Sequence, residues 1–558
     1  MKSYNICMDT ENKFEFHFAS IWEKVSDYVP NDIALISGEN KKNWREYEQT
    51  SAKIASFLKD RGIKKNSKVG LYLFNCNEYL ESQFATFKVM GVPINVNYRY
   101  KSEELIYLLD NSDSEAVFFH ESYLDQILLI YKNLPNIKTW IQIGGKESPD
   151  ISNFFLYENI VLSNEPMERI KRDEDNIYMI YTGGTTGMPK GVMYTHGSFV
   201  ISMFGGLKMQ GYDVPDVRKK ENILQLKEVI QKRSYENNST RCLIACPLMH
   251  GTGMFLGGFM THCLGGSIIT IPEIGLNPSK LLKEIELNKI NNLVIVGDAF
   301  AKPILNELDL GHKNGNPYDI SSLQIIISSG VMWSADVKAG ILKHHDVKLF
   351  DSMGSSEGGM GSSVSSRKKS VKTAKFRMNP DVIVLGDDGK IVEPGSGVRG
   401  LVGTSGLVPL GYYKDPIKSA ETFKEVNGKR YSFPGDYALV ESDGSVTLLG
   451  RGSNCINSAG EKIYPEEVEE ALKLDPSVDD VLVVGVEDEK YGQKVVAIAS
   501  FNKNMTITED DLKANTKAHL SSYKVPKNIK FVEKVSRAPN GKADYKWAKE
   551  LAKEFINA

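Results

Sequence analysis

A chain of 558 residues is too long for one ordinary hydrophobic core, and its 41% apolar content is enough to fill more than one. Lys plus Arg, 68, nearly balances Asp plus Glu, 71, with no basic arm in either half, so charge excludes nucleic acid as a partner and leaves a small molecule as the expectation. The six cysteines, at 7, 76, 242, 246, 263 and 455, show no paired CxxC spacing; neither a zinc site nor a disulfide framework is expected, and a reducing cytoplasm is the simplest home.

The N-terminal MKSYNICMDTENKFEFHF places Asp and Glu where a signal peptide needs an apolar core, so no export is expected. From Val69 the chain alternates VGLYLF, NEYLESQFATFKVM, VPINVN, SEELIYLLDN and EAVFFH, which is strand, helix, strand, helix, strand. IYMIY reads as a further strand leading into YTGGTTGMPKGV, Tyr181 to Val192. Asp213 to Arg241 is charge-rich with a helical middle, a surface excursion on this reading. The most apolar stretch, Leu243 to Ile271, is broken by Pro247, His250, His262 and many glycines. It is expected to form buried strands and turns, not a transmembrane segment, and peripheral membrane contact is left open. LVIVGD, LQIIISSG and VKLFDS are apolar runs ending in Gly, Ser or Asp. Ligands of an open parallel sheet lie beyond such carboxyl ends. After Leu449 the texture changes. YPEEVEEALK starts a helix with Pro465 in its first turn, VDDVLVVGV and QKVVAIASF are expected as paired strands, and a second helix begins at Glu509. The expected class is therefore α/β: a large N-terminal domain of parallel-rich sheets and helices over 1–450, a hinge at 451–454, and a small α+β C-terminal domain over 455–558.

YTGGTTGMPKGV packs four Gly, three Thr and one Lys into twelve residues. It is not the G-x-x-x-x-G-K-[ST] loop, because Met188 and Pro189 separate Gly187 from Lys190 and Gly191 occupies the hydroxyl position; nor is it G-x-G-x-x-G. Its chemistry still suits a phosphate. Gly183, Gly184 and Gly187 let backbone N–H groups approach an anion, Thr182, Thr185 and Thr186 offer hydroxyl donors, and Lys190 adds charge. A flexible Gly and Thr turn is the plain alternative.

This run resembles the phosphate loop of the adenylate-forming superfamily, which includes acyl-CoA synthetases, luciferases and peptide-synthetase adenylation domains. NVNYRYKSEELIYLLDNSD, CPLMHGTG, VIVGDAFAKP, DSMGSSEGG, VPLGYYKDPIKSAETF, PGDYALVESDGSVTLLGRGS, GEKIYPEEVEEAL and PNGKADYKWAKE are similar to family segments and follow in family order. GRGSNCIN and PNGKADY look most like the fatty-acid and steroid-side-chain CoA ligase branch. The resemblance implies an ATP- and Mg2+-dependent acid–thiol ligase. It would join a carboxylate to the α-phosphate, release pyrophosphate, and transfer the acyl group to CoA. Alternatives are a ligase that loads a carrier protein, and a nucleotide-binding protein without catalysis. The sequence leaves the acid and the oligomeric state open.

The resemblance also implies roles. Thr182, Gly183, Gly184, Thr185, Thr186 and Gly187 would hold the β- and γ-phosphates, with Lys190 less critical. Glu357 would help hold magnesium and Ser356 would meet the α-phosphate, although a loop acid in such a setting can simply be solvated. Ser329 and Gly330 would line one side of adenine, Asp351 would accept from its amino group, and Met353, where relatives carry an aromatic ring, would pack a thioether on the base. Asp436 would accept both ribose hydroxyls with Arg451 beside it; a lone Asp after Pro-Gly is otherwise a turn residue. His250 reads either as a core histidine or as a side chain at the acyl-pocket entrance. Lys542, otherwise a solvated charge, would bridge substrate carboxylate and α-phosphate. Ser453 would be the hinge, where relatives carry Asp or Lys. Gly460, Glu461 and Lys462 would move to the pantetheine channel, with Ala459 replacing the first glycine of a family pair.

Overall fold

The apolar segments between Lys68 and Leu156 assemble into a five-stranded sheet, parallel throughout, in the order Val92–Asn95, Lys68–Tyr72, Ser114–His120, Thr139–Ile143, Phe154–Leu156. The computed structural model describes residues 15–557 except 147, 148, 150, 185, 186, 459, 460, 489–491, 503, 504, 521, 539 and 540. Thr139–Ile143 is buried at every position, as expected for a parallel strand covered on both faces.

A second, larger sheet changes character partway across. Ile33–Ser37, Ser267–Thr270, Arg241–Ile244, Asn292–Ile295, Ile325–Ser329 and Lys348–Ser355 run parallel. Gly358–Ser365 then turns back antiparallel, and Lys375–Met378, Ser445–Arg451, Asp436–Val440 and Arg399–Thr404 continue antiparallel. The switch falls at SMGSSEGG, where Ser355 pairs with Gly358 and leaves Ser356 and Glu357 as a two-residue tip. The expected strand of IYMIY is Ile177–Gly184. Its antiparallel partner is Gly187–Thr195, with Gly184 opposite Gly187, so the strands on either side of the Gly and Thr run form a hairpin.

Two expectations are corrected. Leu243 to Ile271 is buried, but its centre is helical: a π-helix, Thr252–Phe259, continues into Met260–Cys263. A short apolar run without periodicity does not distinguish strand from helix, and here the glycines decide. A Cβ at Gly253 would lie 2.5 Å from the Pro247 carbonyl, and one at Gly257 would lie 2.8 Å from Ile244, so their absence lets the helix press onto the sheet. The helix Leu226–Tyr235 within Asp213 to Arg241 is not merely superficial, because Leu226 and Ile230 join the main core.

Beyond Arg451 a separate sheet begins at Ile456–Ser458, with Glu461–Ile463, Val478–Asp488, Gly492–Phe501 and Asn528–Val532. Period-two alternation buries both its faces. Val481 and Val483 pack with Val468, Leu472 and Leu512 on one side, while Leu482 and Val484 pack with Ala548 and Ala552 on the other. Among the described residues no helix is long and apolar enough to cross a membrane.

Candidate active site

Two hairpins and the carboxyl ends of the parallel strands converge on one cavity of about 890 Å3, and a third hairpin carries Asp436 and Arg451, which do not themselves line it. From the sheet come Ser329 and Gly330. Ser329 donates its hydroxyl to the Ser352 carbonyl at 2.8 Å, and Gly330 has φ +91°, a left-handed backbone that suits glycine. From the first hairpin comes Thr182. Gly183, Gly184 and Gly187 lie in its strands, whereas Thr185 and Thr186 are outside the described residues. From the second comes Ser356, whose carbonyl accepts from the Tyr194 hydroxyl at 2.5 Å and so ties the two hairpins together.

Glu357, beside Ser356, is 8% exposed, and Tyr412 donates its hydroxyl to Glu357 Oε1 at 2.9 Å. The third hairpin explains why Asp436 and Arg451 stand fifteen residues apart in sequence: they are cross-strand partners, with Arg451 Nε 3.4 Å from Asp436 Oδ1. Burial pushes the Asp436 carboxyl upward, Arg451 opposes this, and Glu357 adds to it. Asp436 in turn holds the Arg451 guanidinium charged.

Lys542 reaches this cluster from the small domain. The lysine is exposed to the cavity, but the enclosing walls push its ammonium below the usual lysine range. Arg451 adds to that effect, and Glu357 and Asp436 counter it. It sits in a tight turn in which the Ala538 N–H donates to the Lys542 carbonyl at 2.9 Å. The turn fits the large domain closely: Gly541 has φ +73°, and a Cβ there would lie 2.6 Å from Ala299 Cβ. His250 lines the same cavity. Burial first, and Lys542 second, push its imidazole down to about 3, so it is neutral. The ring is thus desolvated and also faces the cavity.

Three expected residues are held elsewhere. Lys190 does not line the cavity; it pairs with Asp415 at 2.5 Å. Along Lys348–Ser355 strand alternation sends Phe350 and Ser352 to the cavity and Asp351 and Met353 to the opposite face. Asp351 Oδ2 accepts from the buried Lys338 ammonium at 2.7 Å, so an adenine amino group would have to share an already paired carboxylate. Met353 packs with Met360, Phe376 and Ala438 in an apolar cluster, not against the cavity. Gly460 lies outside the described residues; Glu461 and Lys462 are in a strand, and Ser453 is in the short 3-10 turn Gly452–Asn454.

Sequence reasoning missed the clamps behind the site. Asn95 donates to the Tyr181 and Met249 carbonyls at 2.8 and 2.7 Å and accepts from the Tyr181 N–H at 2.7 Å. Asn75 donates to the Cys246 carbonyl at 2.9 Å and accepts from the Leu248 N–H at 2.8 Å. Each asparagine stands at or just past the carboxyl end of a strand of the five-stranded sheet. The polar residue closing an apolar run, a signal applied to the larger sheet alone, marks them too.

Residues 22–413 match the family model described as AMP-binding enzyme, and residues 467–542 match that of the AMP-binding enzyme C-terminal domain. A medium/long-chain-fatty-acid–CoA/3-oxocholest-4-en-26-oate–CoA ligase of Mycolicibacterium smegmatis is 39% identical, covering 96% of this chain and 97% of that one. A 3-oxocholest-4-en-26-oate–CoA ligase of Rhodococcus rhodochrous is 38% identical, covering 96% and 95%. Among solved structures, the anthranilate CoA ligase AuaEII with anthranoyl-AMP superposes with a TM-score of 0.83 at 20% identity, covering 98% of this chain and 99% of that one, a likeness of fold.

Proposed function

The chain belongs to the AMP-binding enzyme family, and from that premise we propose that it is an acyl-CoA ligase acting on an acid of the fatty-acid or steroid-side-chain class, as the names of its relatives suggest. The observation that carries the reading is that Lys542, from the small domain, lines one cavity with His250, Thr182 and Ser356 of the large domain and feels the charges of Arg451, Glu357 and Asp436. In the first half-reaction a carboxylate oxygen bonds to the α-phosphorus of ATP, the bond to the bridging oxygen breaks, and pyrophosphate leaves. Lys542 would lie between the two anions and offset their repulsion. Asp436 would accept the ribose hydroxyls, Arg451 would hold Asp436 in place, and Thr182 and Ser356 would donate to phosphate oxygens. In the second half-reaction the CoA sulfur bonds to the acyl carbon and AMP leaves. The hinge at 451–454 would let the small domain, 455–558, withdraw Lys542 from the large domain, 1–450, before that step.

The residues fit magnesium carried in on ATP. Among the described residues no three His, Cys, Asp or Glu gather into a cage, and Mg2+ commonly takes one or two carboxylates plus substrate phosphates. Glu357 would supply that carboxylate, with Tyr412 orienting it. Bound there, the ion would neutralise charge on the departing pyrophosphate. The cytoplasm is the compartment this chemistry expects. Pyrophosphate release measured with acid and ATP, with and without CoA, tests the reading. Acid-dependent pyrophosphate together with CoA-dependent AMP supports it. Acid-dependent pyrophosphate without use of CoA favours a carrier-protein acceptor, and no acid dependence at all overturns both.

A further inference from the structure

The cavity does not stop at the adenylate end. Tyr194, bonded to Ser356, leads into the helix His196–Met209, which at 1.5 Å per residue carries the cavity wall about 21 Å away. Phe199, Ser202, Met203, Gly206, Met209 and Gln210 line the cavity at the spacing of a single helix face. Met209, at the far end, is 50% exposed, so the channel reaches the surface there. The opposite wall comes from the π-helix and its continuation, through Phe255, Leu256 and Met260.

Near that far end the two walls touch. Gln210 donates its Nε2–H to Met260 Sδ at 3.2 Å, and Met260 Cε fills the space a Cβ on Gly206 would need, 2.2 Å from that position. A glycine inside a helix lowers its stability relative to alanine. Here it creates the notch that seats the methionine. The side chain is unbranched, flexible and held by one weak bond to sulfur, which suits a wall that can move.

We propose that Met260, seated on Gly206 and tethered by Gln210, is the movable end wall of an acyl channel and sets the length and bulk of acid the enzyme accepts. Short and medium chains end against it. Longer chains and polycyclic side-chain acids swing it out of the notch toward the opening at Met209. The inference rests on the acyl-CoA ligase reading and deepens it from reaction to substrate range.

The test compares kcat/KM for octanoate, dodecanoate, hexadecanoate and 3-oxocholest-4-en-26-oate in CoA-dependent AMP release, with KM for ATP recorded alongside. Met260→Ala is expected to raise the ratio of hexadecanoate to octanoate about tenfold, the lower end of what one or two methylenes decide in a pocket. Gly206→Ala, which favours the helix, is expected to push Met260 into the channel and lower that ratio by a similar factor, with KM for ATP unchanged. A structural role alone would leave the ratio where it was. In the double variant the added methyl has no methionine to displace, so the ratio is expected to follow Met260→Ala. Equal ratios in all four proteins, or a Gly206→Ala effect that persists in the double variant, would overturn the end wall and leave the ligase reading intact. Failure of the wild type to release AMP with any of the acids would overturn both.

Discussion

On the large-domain side, acids meet cations or a phenol on neighbouring elements: Asp351 with Lys338 at 2.7 Å, behind the cavity strand, Asp436 with Arg451 at 3.4 Å, Glu357 with Tyr412 at 2.9 Å. On the small-domain face, the helix Pro465–Leu472 turns Glu466 and Glu469 toward amides and hydroxyls. Glu466 Oε1 accepts from the Arg451 N–H at 3.5 Å, and Glu469 accepts from the Val483 N–H at 2.8 Å and the Tyr545 hydroxyl at 3.3 Å. Burial pushes Asp351, Asp436, Glu466 and Glu469 upward. Lys338 and Arg451 counter it on the first face. On the second, Asp436 pushes Glu466 further up and Glu466 does the same to Glu469. A cation favours the charged form of the acid it touches, as amide N–H donors do, whereas burial is the larger effect on Glu466 and favours its proton. On the proposed mechanism the first face would stay in place and the second would dock and part.

Removing Lys542, whose ammonium reaches from the small domain toward the large-domain acids, is expected to have the largest effect. Lys542→Ala should slow acyl-adenylate formation by about 10²–10³, the loss typical of one preorganised donor, while supplied acyl-adenylate and CoA still give thioester. Ser453→Pro should do the reverse, because a fixed φ in the short turn after Arg451 restricts rotation and acyl-adenylate accumulates. Single-turnover measurement of each half-reaction decides. Equal loss of both steps in both variants would break the distinction between a fixed and a parting face.

Next in size is a test of the fixed face. Asp436→Ala would remove the proposed acceptors for two ribose hydroxyls, at about 1.5–3 kcal/mol for each charge-assisted bond, and leaves Arg451 without its cross-strand partner. KM for ATP is expected to rise by at least an order of magnitude, with KM for the acid unchanged. An unchanged ATP dependence would remove this hairpin from the nucleotide site. A smaller effect is expected at the dock itself. Gly541→Ala combines a left-handed backbone, costing alanine about 1–2 kcal/mol, with contact against Ala299. Acyl-adenylate formation should fall about tenfold with thioester formation spared. Loss of thioester formation as well would mean the turn serves folding, not docking.

The fixed face was the more legible of the two in sequence, for a physical reason. Hairpin tips and strand ends need Gly, Ser and Asp at set positions, so SMGSSEGG, YTGGTTG and PGDYAL stand out from their apolar flanks. The pairing of Asp436 with Arg451 was visible as a spacing, and the hairpin supplied its cause. Strand alternation was harder to use: it turns Met353 and Asp351 away from the cavity, which a motif read as a string of letters does not express. The clamps of Asn75 and Asn95 were hidden because the groups they hold are backbone atoms far away in sequence. Glu466 and Glu469 read as helix-start acids suited to the positive end, and nothing in YPEEVEEAL tells which of its acids is buried.

The smallest effect is expected from Glu466, and it tests the parting face most directly. Glu466 packs against the hinge closely enough that a Cβ on Gly450 would lie 2.2 Å from its Oε2. The groups around Glu466 and Glu469 are Arg451, Asn454 and Asp436 from the hinge side and Lys473, Arg537 and Tyr545 from within the small domain. Burial pushes Glu466 up to about 7, so the docked protein binds this proton more tightly than a protein in which this end of the helix is exposed, whereas Glu469 bonds Val483 and Tyr545 inside the small domain. The stabilisation Glu466 gives to docking is complete below the ordinary carboxylate value of 4.5 and declines as pH rises through about 7. Glu466→Gln keeps the shape and the acceptor for the Arg451 N–H while removing the titration. The ratio of variant to wild-type rates of acyl-adenylate formation, which cancels the pH dependence of the substrates, should therefore sit near one at about pH 6 and climb toward about pH 9 as the wild type loses its proton. A ratio flat across that range would show that the helix docks without regard to the proton on Glu466, and the two faces would then differ in position only.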